Sequence, residues 1–339
     1  MATPFTQHAG IAVPLICGPM YPCSNPELVA AVSEAGALGV VQPMSLTYVH
    51  GHELRAGLRH IRSLTSRPVG FNALIEASSQ VYLERMRQWI DIALEEGLRF
   101  FITSLGDPRW VCERVHAVGG VVYHDVTEAR WARKAVDGGA DGLIAVNARA
   151  GGHAGSRSAE ALLAELRPFN LPVVAAGGIG TPEDFVRHLR MGYAAAQLGT
   201  RFIATPECRA SEAYKQAILT ARARDIVHTE RLTGVPVAVI RNAFIERYGT
   251  RASPFARWML RGHRRKHWMR AIYTLRSMRG LRSSLASESD SGYWQAGMSV
   301  DGIDSILPAA EIVRRYSEAL AADPVPVCTE AAPVAHSPP

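Results

Sequence analysis

Residues 142–155 read GLIAVNARAGGHAG, an apolar strand followed by a loop in which glycines flank His153. Glycines let a backbone approach a flat partner closely. In parallel α/β proteins, a conspicuous residue just past the carboxyl end of a strand often takes part in chemistry. The plain alternative is a tight strand-to-helix loop with an exposed histidine. We take His153 as a candidate catalytic residue and test that hypothesis on the rest of the chain.

Short apolar runs alternate with amphipathic stretches from Pro14 onward. Eight runs have the length and composition of buried strands, at 15–17, 38–42, 68–74, 99–103, 120–124, 142–146, 172–176 and 194–198. Eight strand–helix units predict an α/β fold whose parallel sheet closes into a (β/α)8 TIM barrel. The alternative is an open doubly wound sheet with fewer strands, and the near-uniform spacing favours closure.

The strand–helix alternation stops after the eighth strand, where mostly helical patterns take over. We expect residues 10–205 and 301–322 to form the barrel and residues 206–300 to form an additional helical cap, or substrate segment. Residues 303–321 carry the periodicity of a last amphipathic helix. Prolines recur near the end, so residues 323–339 are predicted to be a disordered tail.

The composition is that of a globular protein with ample core. Of 339 residues, 47% are hydrophobic and 20% are charged, and no segment reaches the roughly 18 uninterrupted apolar residues of a membrane span. The first residues lack the apolar run of a signal peptide. Five scattered cysteines without a Cys-x-x-Cys pair argue against a disulfide framework or a zinc site. We therefore expect a cytoplasmic protein that binds no metal.

The net charge of +6 is concentrated in one segment. Residues 251–282 contain many arginines and no acid. Such a segment could meet nucleic acid, an anionic membrane or an anionic substrate. Its apolar residues fall near helical spacing, which favours amphipathic helices with a solvated basic face. Because no nucleic-acid-binding motif surrounds the segment, we predict no nucleic-acid partner.

Two glycine turns follow the seventh and eighth predicted strands, Gly177-Gly178 and Gly199-Thr200. Barrels often bind a phosphate on these two loops, where glycine amides and a helix amino terminus stabilise the charge. Thr181 can cap the helix after the first turn. Ordinary turn glycines are the alternative for either loop alone, and their pairing favours a phosphate site. No glycine-rich fingerprint of a dinucleotide or nucleoside triphosphate site stands in the required context.

The other strand ends offer few charged groups. They present Pro19-Met20, Asn72 and Ser104, a set that suits a flat, partly apolar ring. Flavin mononucleotide (FMN) combines such a ring with a phosphate. The sequence therefore predicts FMN as the cofactor.

Six motifs make the chain resemble the nitronate monooxygenase (2-nitropropane dioxygenase) family of FMN barrels across residues 10–320. They are PLICGPM at 14–20, GFN at 70–72, AGGHAG at 150–155, VAAGGI at 174–179, QLGTRF at 197–202 and TPEC at 205–208. That family is related to FMN-dependent enoyl-acyl-carrier-protein (enoyl-ACP) reductases and NAD(P)H:quinone reductases. The Gly-Gly-His loop and the Leu-Gly-Thr-Arg-Phe run are the most specific of the six motifs.

The resemblance implies a role for each matching residue. His153 corresponds to the family's active-site histidine. The implied flavin contacts are Gly18, Pro19, Met20, Asn72, Gly177, Gly178, Gly199 and Thr200, the last four at the phosphate. Further candidates for cofactor binding, from their places at the strand ends and in the histidine loop, are Ser104, His124, Asn147 and Gly152. Met20, Trp294 and Met298 are expected to line the substrate mouth, with simple packing as the alternative for Trp294 and Met298.

Three departures from the family pattern bear on the substrate. The best-characterised nitronate oxidisers carry Gln-Gly-x-Glu-Ala-Gly-Gly-His, whereas this chain carries NARAGGH at 147–153. It has Ala-Gly-Met at 296–298 where those oxidisers tend to have Ala-Gly-Gln, and the methionine resembles quinone reductases more. A lysine that follows the fifth strand in some quinone reductases is absent, since His124-Asp125 stands there.

The preferred hypothesis is an FMN-dependent oxidoreductase that oxidises alkyl nitronates, or nitroalkanes, with O2 to a carbonyl compound and nitrite. One alternative is NAD(P)H-dependent reduction of a quinone or an enoyl thioester such as enoyl-ACP. Another is a flavin-binding protein without turnover, which would have no use for an intact histidine loop. Each enzyme hypothesis implies a small-molecule substrate, with O2 or NAD(P)H as redox partner, and leaves a homodimer open.

Overall fold

Eight parallel strands close into a barrel in which each strand pairs with the next and β8 pairs with β1. The structure is a computed structural model that describes residues 3–76, 79–232, 234–252, 280–283, 285 and 292–325. The strands are β1 (Leu15–Cys17), β2 (Leu38–Val41), β3 (Val69–Leu74), β4 (Phe100–Ser104), β5 (Val121–Val126), β6 (Gly142–Val146), β7 (Val173–Ala176) and β8 (Ala195–Leu198). The predicted (β/α)8 TIM barrel is confirmed.

Helices follow the strands around the barrel. Those described are α1 (Pro4–Ala9), α2 (Pro26–Glu34), α3 (Leu54–Leu64), α4 (Gln80–Glu95), α5 (Arg109–His116), α6 (Ala129–Asp137), α7 (Ala159–Leu166), α8 (Pro182–Met191), α9 (Thr200–Ile203), α10 (Glu212–Thr220), α11 (Ala243–Tyr248) and α12 (Ala309–Ala322). A π-helical turn at Ser45–Val49 precedes α3, which begins at Leu54. The predicted cap of α8 is confirmed, because Thr181 Oγ1 accepts a hydrogen bond from the Asp184 N–H at 3.1 Å.

The barrel interior is apolar, and α1 fills its amino end. Side chains alternate along each strand. The inward ones form one cluster of Ile16, Leu38, Val40, Phe100, Ile102, Tyr123, Ile144, Val174, Ala176 and Ala195. The Phe5 ring packs edge-on against Phe100 at 5.6 Å and Tyr123 at 5.7 Å between centroids, and His8 Nδ1 lies 3.1 Å from the Tyr123 hydroxyl. The strand-borne candidate residues lie towards the opposite, carboxyl end.

A histidine–aspartate pair joins α5 to the amino end of β6. Asp141 Oδ2 accepts a hydrogen bond from the Val122 N–H at 2.7 Å and lies 2.8 Å from His116 Nε2. The hydrogen bond to Asp141 raises the pKa of His116. A group whose pKa is higher in the folded state stabilises the fold below its unfolded pKa, near 6.5 for histidine. That stability is lost as the pH rises through the folded pKa.

We expect His116→Asn to lower the free energy of unfolding by roughly 1–2 kcal/mol at pH 6, where the histidine is charged, and by less at pH 9. Urea unfolding at the two pH values measures the difference. His60→Asn, on the partly exposed surface of α3, is the control. An equal loss at both pH values would contradict a contribution from the charge of His116.

The region after the barrel is not purely helical. Besides α10 and α11 it contains an antiparallel pair, β9 (Ile226–Thr229) and β10 (Val237–Ile240). Both strands are rich in β-branched residues, which favour extended backbone. The helical cap expected over 206–300 is therefore a mixed segment in its described part, and its boundaries stay predictions. Most of the basic segment 251–282, and the tail beyond Val325, lie outside the described residues.

A helix that crosses a lipid bilayer needs about 20 mostly apolar residues. Among the residues that the structure describes, no helix combines the length and the apolar character that crossing a membrane requires.

Candidate active site

Polar side chains surround the carboxyl end of the barrel. Tyr123 points into the barrel, so Asp125, two residues further along β5, also faces inward. By the same alternation of side chains, five polar residues face inward at this end of the barrel, and we call them the polar rim. They are Gln42, Asn72, Ser104, Asp125 and Gln197. Asn72 and Ser104 were predicted as site residues. The other three were not, although each stands two residues after an inward apolar position.

Two atoms of the polar rim lack a partner. Asn72 Nδ2 donates to a backbone carbonyl of β4 at 3.3 Å, and Gln42 Oε1 accepts from the Ser45 N–H at 2.6 Å. Asp125 Oδ1 and Gln197 Oε1 are buried and have no hydrogen-bond partner in the described part of the chain. Because buried polar atoms are almost always hydrogen-bonded, these two atoms fit a polar ligand.

The glycine turns after β7 and β8 have the backbone that a phosphate site needs. Gly177 and Gly178 have φ values of +118° and +76°, which residues with a side chain rarely adopt. Gly199 and Thr200 begin α9, so their N–H groups have no acceptor within the helix. The Thr200 hydroxyl accepts a hydrogen bond from the Gly297 N–H at 3.0 Å, so its side chain already has a partner.

Arg149 brings positive charge to these turns. A Cβ built on Gly178 would lie 2.7 Å from Arg149 Nε, so the arginine side chain passes directly over that glycine. Its guanidinium lies 3.9 Å from Asp301 and remains half exposed. Guanidinium groups bind phosphate well. Arg149 was not among the predicted site residues, although a basic residue in the histidine loop was a usable signal.

The turn after β1 lies against the eighth strand. A Cβ built on Gly18 would lie 2.9 Å from Gln197 Cγ, and one built on Gly199 would lie 3.4 Å from Met20 Sδ. Only a residue without a side chain fits at Gly18. The structure therefore brings the predicted Gly18-Pro19-Met20 turn and the Gly199 turn together on one side of the barrel mouth.

Distant segments hold the loop that carries His153. The Ala238 N–H, in β10, donates to Gly152 O at 2.8 Å. Gly151 packs on Gly297 so closely that a Cβ on Gly151 would lie 2.9 Å from the Gly297 nitrogen. The loop is thus fixed between β10 and the segment that precedes α12, and its glycines permit that close contact.

Asn147 joins the histidine loop to the turn after β7. Its Nδ2 donates to Gly177 O at 2.9 Å, and its Oδ1 accepts from the Arg149 N–H at 2.8 Å. The side chain is 1% exposed. The structure therefore places this predicted flavin residue between the two loops, with both amide atoms already hydrogen-bonded.

The His153 side chain is exposed at the end of this loop. The protein around it still lowers its pKa by desolvation. The imidazole is therefore mainly neutral at pH 7. A neutral imidazole can accept a proton as a general base, or donate a hydrogen bond from its N–H.

His124 faces away from the barrel interior, and its predicted flavin contact stays a prediction. It follows the inward Tyr123 and points to the outer layer, where its Nδ1 lies 2.7 Å from Thr103 Oγ1. Burial lowers the pKa of His124 to about 4. The sequence placed His124 and Asp125 together at the end of β5, and the alternation of side chains selects Asp125 for the mouth.

Trp294 is buried and packed, which fits the packing alternative, and its place at the substrate mouth stays a prediction. It is 1% exposed, and its ring stacks on Tyr214 of α10 with centroids 5.7 Å apart. Its carbonyl accepts a hydrogen bond from the Ile240 N–H at 2.8 Å. Met298 is partly buried, and its N–H donates to Arg149 O at 2.9 Å beside the glycine turns.

These residues fit a flavin. Gln197 Oε1 suits the polar edge of its ring, and the glycine turns with Arg149 suit a phosphate. A flavin supplies the electron transfer that no protein side chain provides. The described part of the chain contains no cluster of His, Cys, Asp and Glu that could hold a metal ion.

A closed parallel barrel with polar groups at its carboxyl end defines the class of (β/α)8-barrel enzymes. Within that class the assignment is more specific. Residues 2–318 match the nitronate monooxygenase family, and the chain belongs to that family of enzymes.

Named relatives of the chain differ in their substrates. It is 31% identical over 277 residues to a nitronate monooxygenase of Pseudomonas aeruginosa, covering 69% of this chain and 78% of the relative. It is 29% identical over 262 residues to (3aS,4S,5R,7aS)-5-hydroxy-7a-methyl-1-oxo-octahydro-1H-indene-4-carboxyl-CoA dehydrogenase of Mycobacterium tuberculosis, covering 76% and 71%. The solved structure of FabK from Thermotoga maritima superimposes with a TM-score of 0.77 at 26% identity, covering 95% of this chain and 97% of FabK.

Proposed function

We propose that the protein holds FMN at the carboxyl end of its barrel and oxidises alkyl nitronates with O2 to a carbonyl compound and nitrite. One observation carries the proposal: Asn147 bonds the His153 loop to the glycine turn at Gly177. Asn147 thereby connects the loop that carries the imidazole to a turn that suits a phosphate. The similarity to the nitronate monooxygenase of Pseudomonas aeruginosa favours this chemistry.

In this proposal the rim divides into a phosphate side and a ring side. The turns at Gly177-Gly178 and Gly199-Thr200, with Arg149 over the first of them, bind the phosphate dianion. Gln197, from β8, offers its unpaired Oε1 to the polar edge of the ring. When bound, FMN takes electrons from the substrate and passes them to O2.

His153 orients the substrate and moves its proton. A nitronate is already a carbanion equivalent, so it needs a hydrogen bond to a nitro oxygen, which the neutral imidazole N–H can donate. A neutral nitroalkane needs a base for its α-proton, and the same ring can accept that proton. Met20 and Met298, both partly buried, offer apolar contact to the alkyl group.

A second candidate is NAD(P)H-dependent reduction of an enoyl thioester or a quinone. The observation that favours it is the superposition with FabK over 95% of the chain, together with the acyl-CoA named in the mycobacterial relative. The segment Ala296-Gly297-Met298 packs against the histidine loop at the place where the sequence departs from nitronate oxidisers. In this reaction His153 would orient or protonate the acceptor.

Anaerobic mixing of the FMN-loaded protein with each reductant separates the two candidates. We expect a primary alkyl nitronate to bleach the visible flavin band, and NADH or NADPH to bleach it at least about 100-fold more slowly. Free FMN mixed with the same reductants is the control. Admitting O2 after the nitronate should restore the band and release nitrite.

Two results would reject the preferred function. Rapid bleaching by NADH or NADPH with indifference to the nitronate would assign the protein to the reductases. A purified chain that is colourless and does not take up FMN on reconstitution would reject both enzyme candidates.

A further inference from the structure

Asp125 is a carboxyl group at the mouth of an apolar barrel, and neither the motifs nor the proposed function gives it a role. We propose that Asp125 is a second proton-holding group at the rim, and that its ionisation weakens the binding of anions there. The inference rests on the proposed function, because the anions concerned are the nitronate substrate and the nitrite product.

The position of Asp125 follows from the strand. Tyr123 belongs to the cluster that fills the barrel, and side chains alternate, so Asp125 faces the same interior one step nearer the mouth. Its Cα lies in register with Ile144, another member of that cluster, on β6. On β4 the inward residue beside it is Ser104, which carries no charge. The Asp125 carboxyl group therefore lies next to the apolar residues that fill the barrel.

The surroundings of the Asp125 carboxyl group disfavour its ionised form. Asp125 Oδ1 is buried without a hydrogen-bond partner among the described residues. Desolvation is the cause that raises the pKa of Asp125, to about 7. A carboxylate without a donor or a cation beside it cannot recover the hydration that it loses on burial. The group is therefore about half protonated at neutral pH.

The other titratable groups of β5 and of the histidine loop that have shifted pKa values change charge outside the range from pH 7 to 9. On its own strand, burial raises the pKa of Tyr123 well above 10 and lowers that of His124 to about 4. In the loop after β6, desolvation lowers the pKa of His153 below 6.5. Among these groups Asp125 alone gains charge as the pH rises from 6 to 9.

This change of charge has opposite effects on an anion at the mouth. The protonated carboxyl can donate a hydrogen bond to a nitro or nitrite oxygen. The ionised carboxylate has only acceptors and repels a second negative charge, and the repulsion is stronger where water is excluded. The affinity for nitronate and nitrite should therefore fall as Asp125 ionises.

Nitrite is a suitable probe, because its single charge does not change between pH 6 and pH 9. We expect calorimetric titration of the FMN-loaded full chain to give a dissociation constant that rises about tenfold from pH 6 to pH 9. Asp125→Asn should keep the affinity within about twofold across that range, because its amide cannot ionise. Asp107→Asn is the matched control, since it removes the same charge from the loop after β4 and should keep the wild-type pH dependence.

A second measurement tests the proton itself without flavin or turnover. In the flavin-free protein we expect an infrared band of a protonated carboxyl at pH 6 that fades as the pH rises through about 7. The band should be missing in Asp125→Asn and present in Asp107→Asn. If the protein shows this band but does not take up FMN, the proposed function is rejected, and the proton on Asp125 is still supported.

The inference is overturned by any of three results. The infrared band is absent from the wild type at pH 6, or Asp125→Asn shows the same pH dependence of nitrite affinity as the wild type, or nitrite does not bind the FMN-loaded protein at pH 6. A protein that oxidises nitronates normally while giving one of these results keeps the proposed function and loses only the role of Asp125.

Discussion

Replacement of His153 by asparagine should leave FMN bound and lower the turnover of neutral nitroalkanes by about 10²–10⁴-fold. Asparagine keeps a polar side chain on the loop but cannot take up a proton. In the wild type desolvation keeps the imidazole neutral at pH 7, so the base is present in its active form. Because a nitronate has already lost its proton, its turnover should fall less. Steady-state nitrite release from a nitroalkane and from its nitronate measures both effects.

The pH profile of the wild type gives an independent check on His153. With a nitroalkane, kcat/KM should fall as the pH drops through a value below 6.5, because protonation removes the base. With the nitronate this acid limb should be weaker. His60→Asn, on α3, is the control and should behave as the wild type. Unchanged rates of His153→Asn on both substrates would exclude His153 from the mechanism.

Gly177→Ala is expected to lower FMN affinity by about 100-fold and the free energy of unfolding by roughly 3 kcal/mol. The backbone at Gly177 has φ +118°, where a side chain is strained. Its Cβ would lie 2.4 Å from Asn147 Oδ1 and 2.6 Å from the Ala150 nitrogen. The substitution therefore pushes the His153 loop away from the turn that is proposed to bind the phosphate. Fluorescence titration with FMN and urea unfolding measure the two losses.

Gly97→Ala separates backbone strain from this clash. Gly97 has φ +84°, and a Cβ there would meet no atom within 4 Å. We expect Gly97→Ala to reduce stability by about 1 kcal/mol through strain alone and to leave FMN affinity unchanged. If Gly177→Ala and Gly97→Ala have the same effects, the contact between the two loops does not matter for the site.

The barrel could be predicted because its signals are local. Each strand is a short apolar run bounded by turn residues, and the repeat of strand and helix implies a parallel closed sheet. The cap of α8 was predicted for the same reason, because Thr181 and Asp184 bond within one turn. The glycine turn after β7 also has the unusual backbone that its composition indicates.

The assignment of faces at the strand ends was less predictable. His124 and Asp125 are neighbours, and only the register of β5 against its partners decides which enters the mouth. A single sequence does not contain that register. The orphaned atoms of Asp125 and Gln197 are a property of the assembled barrel, so they could not be recognised from composition.

Long-range contacts explain the remaining differences. The bond from Ala238 to Gly152 joins residues far apart in the chain, and no local pattern at either end indicates it. Trp294 was expected at the mouth with simple packing as the alternative, and its ring stacks on Tyr214, which is distant in the chain and lies on α10. Both contacts depend on tertiary packing, which overrides local propensity.

Because α1 fills the amino end of the barrel, it limits how substrate and product can reach the site. Phe5, wedged against Phe100 and Tyr123, leaves no straight passage along the barrel axis. Substrate and product must therefore both enter and leave through the carboxyl end of the barrel. A product that dissociates slowly from this end prevents the next substrate from entering. We therefore expect such a product to be a competitive inhibitor.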